Sequence, residues 1–252
     1  MRGRGPGGEE RAGHSRPAVG VVVPALNEAA GIGATLARVA RQRGPWDVVV
    51  VDGGSSDGTE GAARRALRAA RVVRSEAGRA AQMNAGATAA DGDLLLFLHA
   101  DTLLPDGALD AVRAALDDPA VAGGCFRPAF DVEGAALGAL GRAAMRLWEA
   151  DVWMRWHRLA FGDRALFARR AAFEAAGGFP DQPIFEDLDL VRALRRHGRF
   201  VFLDEAVLTS ARRFRRYGAV RQQARNLALW LGWLAGVEPA RLKRFYSDRD
   251  RG

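Results

Sequence analysis

LLLFLHADTLLPDG, from Leu94 to Gly107, sets five apolar residues in a row ahead of His99, Ala100 and Asp101, then breaks into a Pro-Asp-Gly turn. A continuous apolar run bounded by turn signals reads as a strand covered on both faces, as in a parallel sheet. Ligands of such sheets bind at the carboxyl ends of the strands. Asp101 stands at that end.

Outward from this strand the alternation repeats. VGVVVPALNE (Val19 to Glu28) reads as a strand leaving into a loop, and the GIGATLARVARQR behind it has helical apolar spacing through Ile32, Leu36 and Val39. WDVVVVDGGSSDGT is a strand of β-branched residues ending in Gly, Ser and Asp; GAARRALRAA is a helix, RVVRSE a short strand, GRAAQMNAGATAA a helix, and DGALDAVRAALDD the helix after the fourth strand. Such alternation predicts βαβ units with right-handed crossovers. The expected fold class is α/β, Rossmann-like, with a mostly parallel sheet flanked by helices and a C-terminal helical extension.

After Pro119 the rhythm changes. VAGGCFRPAFD reads as a strand, and Ala135 to Leu159 is an amphipathic segment with Leu137, Leu140, Trp148, Val152 and Trp156 at near-helical spacing. Trp148, Trp153 and Trp156 can stack on a sugar, although an aromatic stripe at this spacing is more often core. LALWLGWLAGV (Leu227 to Val237) is the most apolar helical stretch, well short of the roughly 20 residues that span a bilayer. Core or dimer packing fits it first and contact with a membrane surface second.

These readings divide the chain into a disordered Gly- and Arg-rich tail over 1–17, one domain over 18–225, and an amphipathic helix with its tail over 226–252. The tail lacks the apolar core of a secretory signal. A net charge of +7 points to anionic partners. It also admits a non-catalytic basic module for nucleic acid, but the aromatics and motifs such modules carry are missing, so nucleic acid is not an expected partner. Cys125 is the single cysteine and leaves no internal disulfide. A cytoplasmic location follows, with contact at the inner membrane face and a homodimer left open.

Three strands end in polar side chains: Asn27 and Glu28 after the first, Asp52 and Asp57 after the second, His99 and Asp101 after the fourth. In a parallel sheet these loops converge on one rim, which suits a nucleotide with a divalent metal. Asp57, followed by Gly58 and Thr59, fits an N-cap as well as a ligand contact. Neither GxGxxG after the first strand nor the Walker pattern is present, which disfavours dinucleotide oxidoreductases and P-loop NTPases. Arg212, Arg213, Arg215 and Arg216 form a basic run, and Arg212 and Arg213 are the candidates for holding phosphate oxygens.

PALNEA, VVDGGSSDGT, GRAAQMNAGA, LLFLHADT, FGDRALFARR, GGFP and FEDLDL, in that order, resemble the family 2 glycosyltransferases of the GT-A fold. HADT, GDRALF and TSARRF are similar to a bacterial subgroup associated with arsenosugar biosynthesis and selenodomain proteins. The resemblance implies inverting transfer of a sugar from a nucleotide-diphosphate donor, most commonly UDP-linked, to a small-molecule acceptor hydroxyl, with Mg or Mn as cofactor. It places Pro24, Asn27, Glu28, Asp52, Arg79 and Asn84 around the nucleotide sugar. Asp101 matches the last acid of the metal motif, with His99 standing where many relatives carry a first Asp. Asp187 of FEDLDL matches the catalytic base, and Glu186 would neighbour it in the acceptor pocket. Asp189 reads instead as part of an acidic first helical turn. Transfer onto a polyprenyl phosphate at a membrane surface is the alternative within the enzyme class.

Overall fold

The structure, a computed structural model, describes residues 18–131, 164–210, 212 and 218–247. The expected tail over 1–17 and the amphipathic segment with Trp148, Trp153 and Trp156 lie outside the described residues.

Chain order runs β1 (Val19–Ala25), α1 (Ile32–Ala40), β2 (Trp46–Asp52), α2 (Thr59–Ala66), β3 (Arg71–Arg74), α3 (Arg79–Ala89) and β4 (Leu94–Phe97). It continues with β5 (Thr102–Leu103), α4 (Ala108–Ala115), β6 (Val121–Asp131), β7 (Leu166–Arg169), α5 (Arg170–Ala175), α6 (Glu186–Leu194), β8 (Arg199–Ser210), α7 (Ala219–Leu234) and α8 (Pro239–Ser247). The described strands form one sheet in the order β3-β2-β1-β4-β7-β6-β8-β5. Its apolar runs are buried on both faces. Val21, Val23, Val48, Val50 and Leu96 face Leu36, Val39, Leu109 and Val112 of α1 and α4. Their neighbours Val22, Val49, Val51, Leu95 and Phe97 face Met83 of α3 and Leu190 of α6. Alternate residues point to opposite faces, so cover on both sides writes an unbroken apolar run.

The sheet is mixed. β3, β2, β1 and β4 are parallel, as is β6 with β8. β7 runs antiparallel to both β4 and β6, and β5 antiparallel to β8. The expected parallel pairing therefore joins the first four strands and returns in the β6–β8 pair, with antiparallel β7 between the two groups and β5 antiparallel at the edge. Leu166, Phe167 and Ala168 are buried on both faces, and such a strand carries no sequence mark of its direction.

Nor does β4 run on to Asp101. Leu98 donates to the Val22 carbonyl at 2.9 Å, and the next bond of a parallel ladder would come from the backbone nitrogen of residue 24. Pro24 has no N–H to give. The chain leaves the sheet there and turns, with the Thr102 N–H on the His99 carbonyl at 3.0 Å. The buried Thr35 hydroxyl of α1 pins this turn through the Ala100 carbonyl at 2.8 Å, and Ser210 at the end of β8 donates to the Asp101 carbonyl at 3.2 Å.

Helix α3 lies close on the sheet because Gly86 lacks a side chain. A Cβ at Gly86 would stand 2.2 Å from Val22 Cγ1 and 2.9 Å from Val51 Cγ2. Gly86→Ala is expected to destabilise by about 1–3 kcal/mol through overpacking. On α2, Gly61 meets only the flexible end of Arg65, and Gly61→Ala is expected to stabilise by about 0.5–1 kcal/mol. Urea midpoints of the two variants moving in the same direction would contradict this packing. The same carboxyl end of α3 is held by Arg170, which donates to the carbonyls of Ala87, Ala90 and Gly92, each at 2.7 Å.

The helix expected over Leu227 to Val237 is the second half of α7, which ends three residues earlier, at Leu234, ahead of Gly236 at φ 78°. Its inner face, Leu229, Trp230 and Trp233, packs on Phe185 and Leu188 of the α6 region and on Leu242 of α8. Val220, Leu227, Leu231 and Leu234 are exposed. No described helix is long and apolar enough to cross a membrane.

Candidate active site

The loops after β1 and β2 are stitched to each other at the rim. Asn27 donates its N–H to Ser55 Oγ at 2.9 Å and accepts from the Ser56 N–H at 3.0 Å. Glu28 donates to Thr59 Oγ1 at 2.9 Å, and Ala29 to Asp57 Oδ2 at 3.0 Å. Asn27 adopts φ 55° to do so, a left-handed conformation that Asn tolerates better than most residues. Asp52, 3% exposed at the end of β2, accepts from the Ser55 N–H at 3.1 Å and from the Ser55 hydroxyl.

Beneath them is Gln82, a residue the sequence reading passes over. Its Nε2 donates to the carbonyls of Ala25 at 2.8 Å and Val51 at 2.9 Å, tying the ends of β1 and β2 together from α3. Only its place in GRAAQMNAGA, on the helix face turned to the sheet, marks it in advance.

Asp57 serves the loops rather than open space. Its Oδ1 accepts from the Thr59 hydroxyl and from the Thr59 N–H at 3.0 Å, and its Oδ2 from Ala29. The Thr59 hydroxyl first, then the Ala29 N–H, hold its carboxyl below the usual carboxylate range. A group with a lowered folded value adds stability that is complete above its unfolded value and vanishes as pH falls through the folded one. The melting difference between the wild type and Asp57→Asn is therefore expected to be constant at neutral pH and to shrink below about pH 4. A difference independent of pH down to full protonation would contradict the bonding scheme.

Glu28 and Asp101 converge on one cation. Arg212 Nη2 lies 2.7 and 2.9 Å from the two Glu28 oxygens and 3.0 Å from Asp101 Oδ2. Glu28, and then Asp101, raise the Arg212 pKa against the opposing effect of its partial burial. Arg213 lies outside the described residues.

A second group sits at the start of α3. One guanidinium nitrogen of Arg79 lies 2.8 Å from His99 Nδ1 and 3.3 Å from its Nε2. The other nitrogen is 3.8 Å from Glu186 Oε1. Arg79, His99, Glu186 and Asp187 line one small pocket floored by Met83, Phe97, Leu166 and Phe179. Asn84 exchanges two bonds with the backbone of Phe179, at 2.8 and 2.9 Å, and so secures the GGFP turn that closes this floor.

Glu186 and Asp187 open α6 and are buried, at 2% and 8% exposure. Phe185 before them has φ 67°, a conformation that costs a non-glycine residue about 1–3 kcal/mol and persists only where its surroundings impose it. Here its ring meets Trp233 of α7, with centroids 5.9 Å apart. Asp187 Oδ1 accepts from the Leu188 N–H at 2.8 Å. Asp189 is turned aside, accepting from Gln182 at 2.9 Å and Arg192 at 3.4 Å. Strand ends and two helix starts thus bring two acidic and basic clusters to one rim: Glu28, Asp101 and Arg212; and Arg79, His99, Glu186 and Asp187. Pro24 stays inside β1, where it ends the ladder, and Asn84 is engaged with Phe179.

The sequence profile of Glycosyl transferase family 2 matches residues 20–172. MT1568, an uncharacterized protein of Mycobacterium tuberculosis (strain CDC 1551 / Oshkosh), is 34% identical over 118 residues, 45% of this chain and 37% of that protein. Among solved structures, S. aureus TarS 1-349 is similar with a TM-score of 0.59 and 21% identity, covering 81% of this chain and 63% of that one. The mannosyltransferase PcManGT from Pyrobaculum calidifontis, solved with GDP-Man and Mn2+, gives 0.57 and 24% identity over 84% and 65%. TarS 1-349 with UDP-GlcNAc gives 0.60 and 20% over 77% and 58%. This chain therefore spans about a third of the length of its curated relative and under two thirds of each of these structures. The structural likeness establishes a shared GT-A fold.

Proposed function

Because this chain belongs to glycosyl transferase family 2, we propose that it moves a glycosyl group, with inversion, from a UDP-linked sugar to a small-molecule hydroxyl. The observation that carries the reading is the buried pair Glu186 and Asp187 sharing one pocket with Arg79 and His99. Asp187 takes the proton of the acceptor hydroxyl as its oxygen attacks the anomeric carbon. The bond from that carbon to the donor diphosphate breaks, and the diphosphate leaves with the electron pair. Arg79, in contact with His99 and Glu186, orients the two groups that flank the base. Asp52 and the stitched Asn27–Ser56 loops form the nucleotide seat, with Asp52 as acceptor for a base N–H. The neighbours solved with UDP-GlcNAc and with GDP-Man and Mn2+ support a nucleotide-sugar donor.

A divalent metal fits the residues present. Among the described residues no three His, Cys, Asp or Glu side chains gather to hold one. Mg and Mn sites that serve phosphates use one or two carboxylates, with the substrate supplying the rest. Asp101 and Glu28 are such a pair of hard oxygen donors, already converging on one positive group. When bound, the metal supplies charge neutralisation at the departing diphosphate. The His99 ring is engaged by Arg79, and we assign the metal to Asp101 first.

UDP and GDP sugars, each with Mg, Mn or EDTA, are expected to raise the melting temperature for one nucleotide only, and EDTA should remove the rise, since ligands of the native state stabilise it by mass action. Asp52→Ala should lose that rise. A folded protein that responds to no donor sinks the reading. Arsenosugar-type biosynthesis, the setting of the subgroup the sequence resembles, is the context we assign, and mass spectrometry of the product identifies the acceptor.

A second reading, transfer to a polyprenyl phosphate at a membrane surface, is favoured by the exposed Leu227, Leu231 and Leu234 of α7. Cosedimentation with anionic liposomes supports it, and its absence removes it.

A further inference from the structure

Arg212 stands where a metal would sit. A single nitrogen of its guanidinium contacts three carboxylate oxygens, from Glu28 and Asp101, within 2.7 to 3.0 Å. Those carboxylates come from residues 184 and 111 positions away in the chain. A divalent cation and this guanidinium cannot share the same oxygens, because two positive charges at that separation repel.

The side chain is placed to leave. It is 54% exposed, and its segment follows β8 directly, where Ser210 bonds the Asp101 carbonyl and Ser210 Oγ accepts from the Arg212 N–H at 3.3 Å. The backbone is anchored beside the rim while the guanidinium projects across it. A planar fork of donors matches a diphosphate better than it matches two separate carboxylates.

We propose that Arg212 is a resident counter-cation that holds Glu28 and Asp101 in the free protein and yields them to a divalent metal only when a donor diphosphate draws its guanidinium away. The inference rests on the donor reading above. It makes metal and nucleotide binding strongly cooperative, and by linkage the coupling is reciprocal. Free protein then takes up little metal, and the diphosphate arrives to a site that gains the metal and the arginine on different oxygens.

The test follows free Mn2+ by electron paramagnetic resonance during titration of the full chain, with and without UDP or GDP. Without nucleotide, Arg212→Gln is expected to bind Mn2+ about 10-fold tighter than the wild type, within the usual range of coupling factors. Arg74→Gln, which removes an exposed arginine paired with Glu60, controls for net charge and is expected to stay within about twofold. The tightening by nucleotide should be about 10-fold smaller in Arg212→Gln than in the wild type. Arg212→Lys, which keeps the charge but loses the fork, is expected to fall between them and provides the comparison even if the Gln variant does not fold. Equal Mn2+ affinities without nucleotide, in proteins that both bind Mn2+ with UDP or GDP, would overturn the counter-cation and leave the donor reading standing. Cooperatively melting proteins that bind neither nucleotide, with or without Mn2+, would overturn the donor reading and the counter-cation with it.

Discussion

Asp187→Asn lowers the turnover of glycosyl transfer by about 10²–10⁴-fold, the range that a positioned general base contributes, while donor binding changes little. Asn has the shape of Asp and keeps an Oδ1 that accepts from the Leu188 N–H, so α6 starts as before. What it lacks is a basic oxygen. The substitution also removes one of three acids from the first turn of α6, a loss of about 0.3–1 kcal/mol against the helix dipole. That is too small to unfold a chain of this size. Single-turnover kinetics with the donor identified by thermal shift separates the two effects. Turnover within tenfold of the wild type would remove Asp187 as the base and shift attention to Glu186, its neighbour in the same pocket.

Arg170→Ala is the substitution expected to cost the fold most. The guanidinium closes the carboxyl end of α3 through Ala87 and Ala90 and the following turn through Gly92. The Ala87 and Ala90 carbonyls are at the helix end without an intrahelical partner, and a cation there also meets the negative end of the dipole. Hydrogen bonds to charged groups contribute about 1.5–3 kcal/mol each when deleted singly. The three share one side chain and partly exposed surroundings, so the loss is about 3 kcal/mol rather than their sum. In a domain of this size that lowers the melting temperature by roughly 6–12 °C. Arg170→Lys should recover only part, because an ammonium cannot span three carbonyls. Activity per folded molecule should be nearly unchanged, since the bonds lie at the opposite end of α3 from Arg79. A large loss of kcat without a fall in melting temperature would contradict this assignment.

The candidate site divides along the same line. Asp52 is legible because it ends an apolar run, where an acid has no use except at a rim, and Asp101 because it stands in the turn that follows one. Glu186 and Asp187 are legible through FEDLDL, read with the other motifs as one ordered set. Gln82 is not, and outside the site neither is Arg170, because a glutamine or arginine on a helix looks like any solvated side chain until its carbonyl partners arrive from elsewhere. Asn84 appears beside Arg79 in the same motif, yet its carboxamide is engaged with Phe179, 95 residues on.

By itself the sequence determined the α/β class, the first four strands with their helices, and the rim on which the acids gather. Each of these is written locally: burial on both faces leaves a continuous apolar run, and a strand that must stop leaves Gly, Pro or an acid. Tertiary structure alone decided the antiparallel entry of β7, the early end of β4 at Pro24, and the meeting of Arg212 with Glu28 and Asp101. Strand direction, ladder register and ion pairs across 111 and 184 residues depend on which segments become neighbours, and no local periodicity encodes that choice.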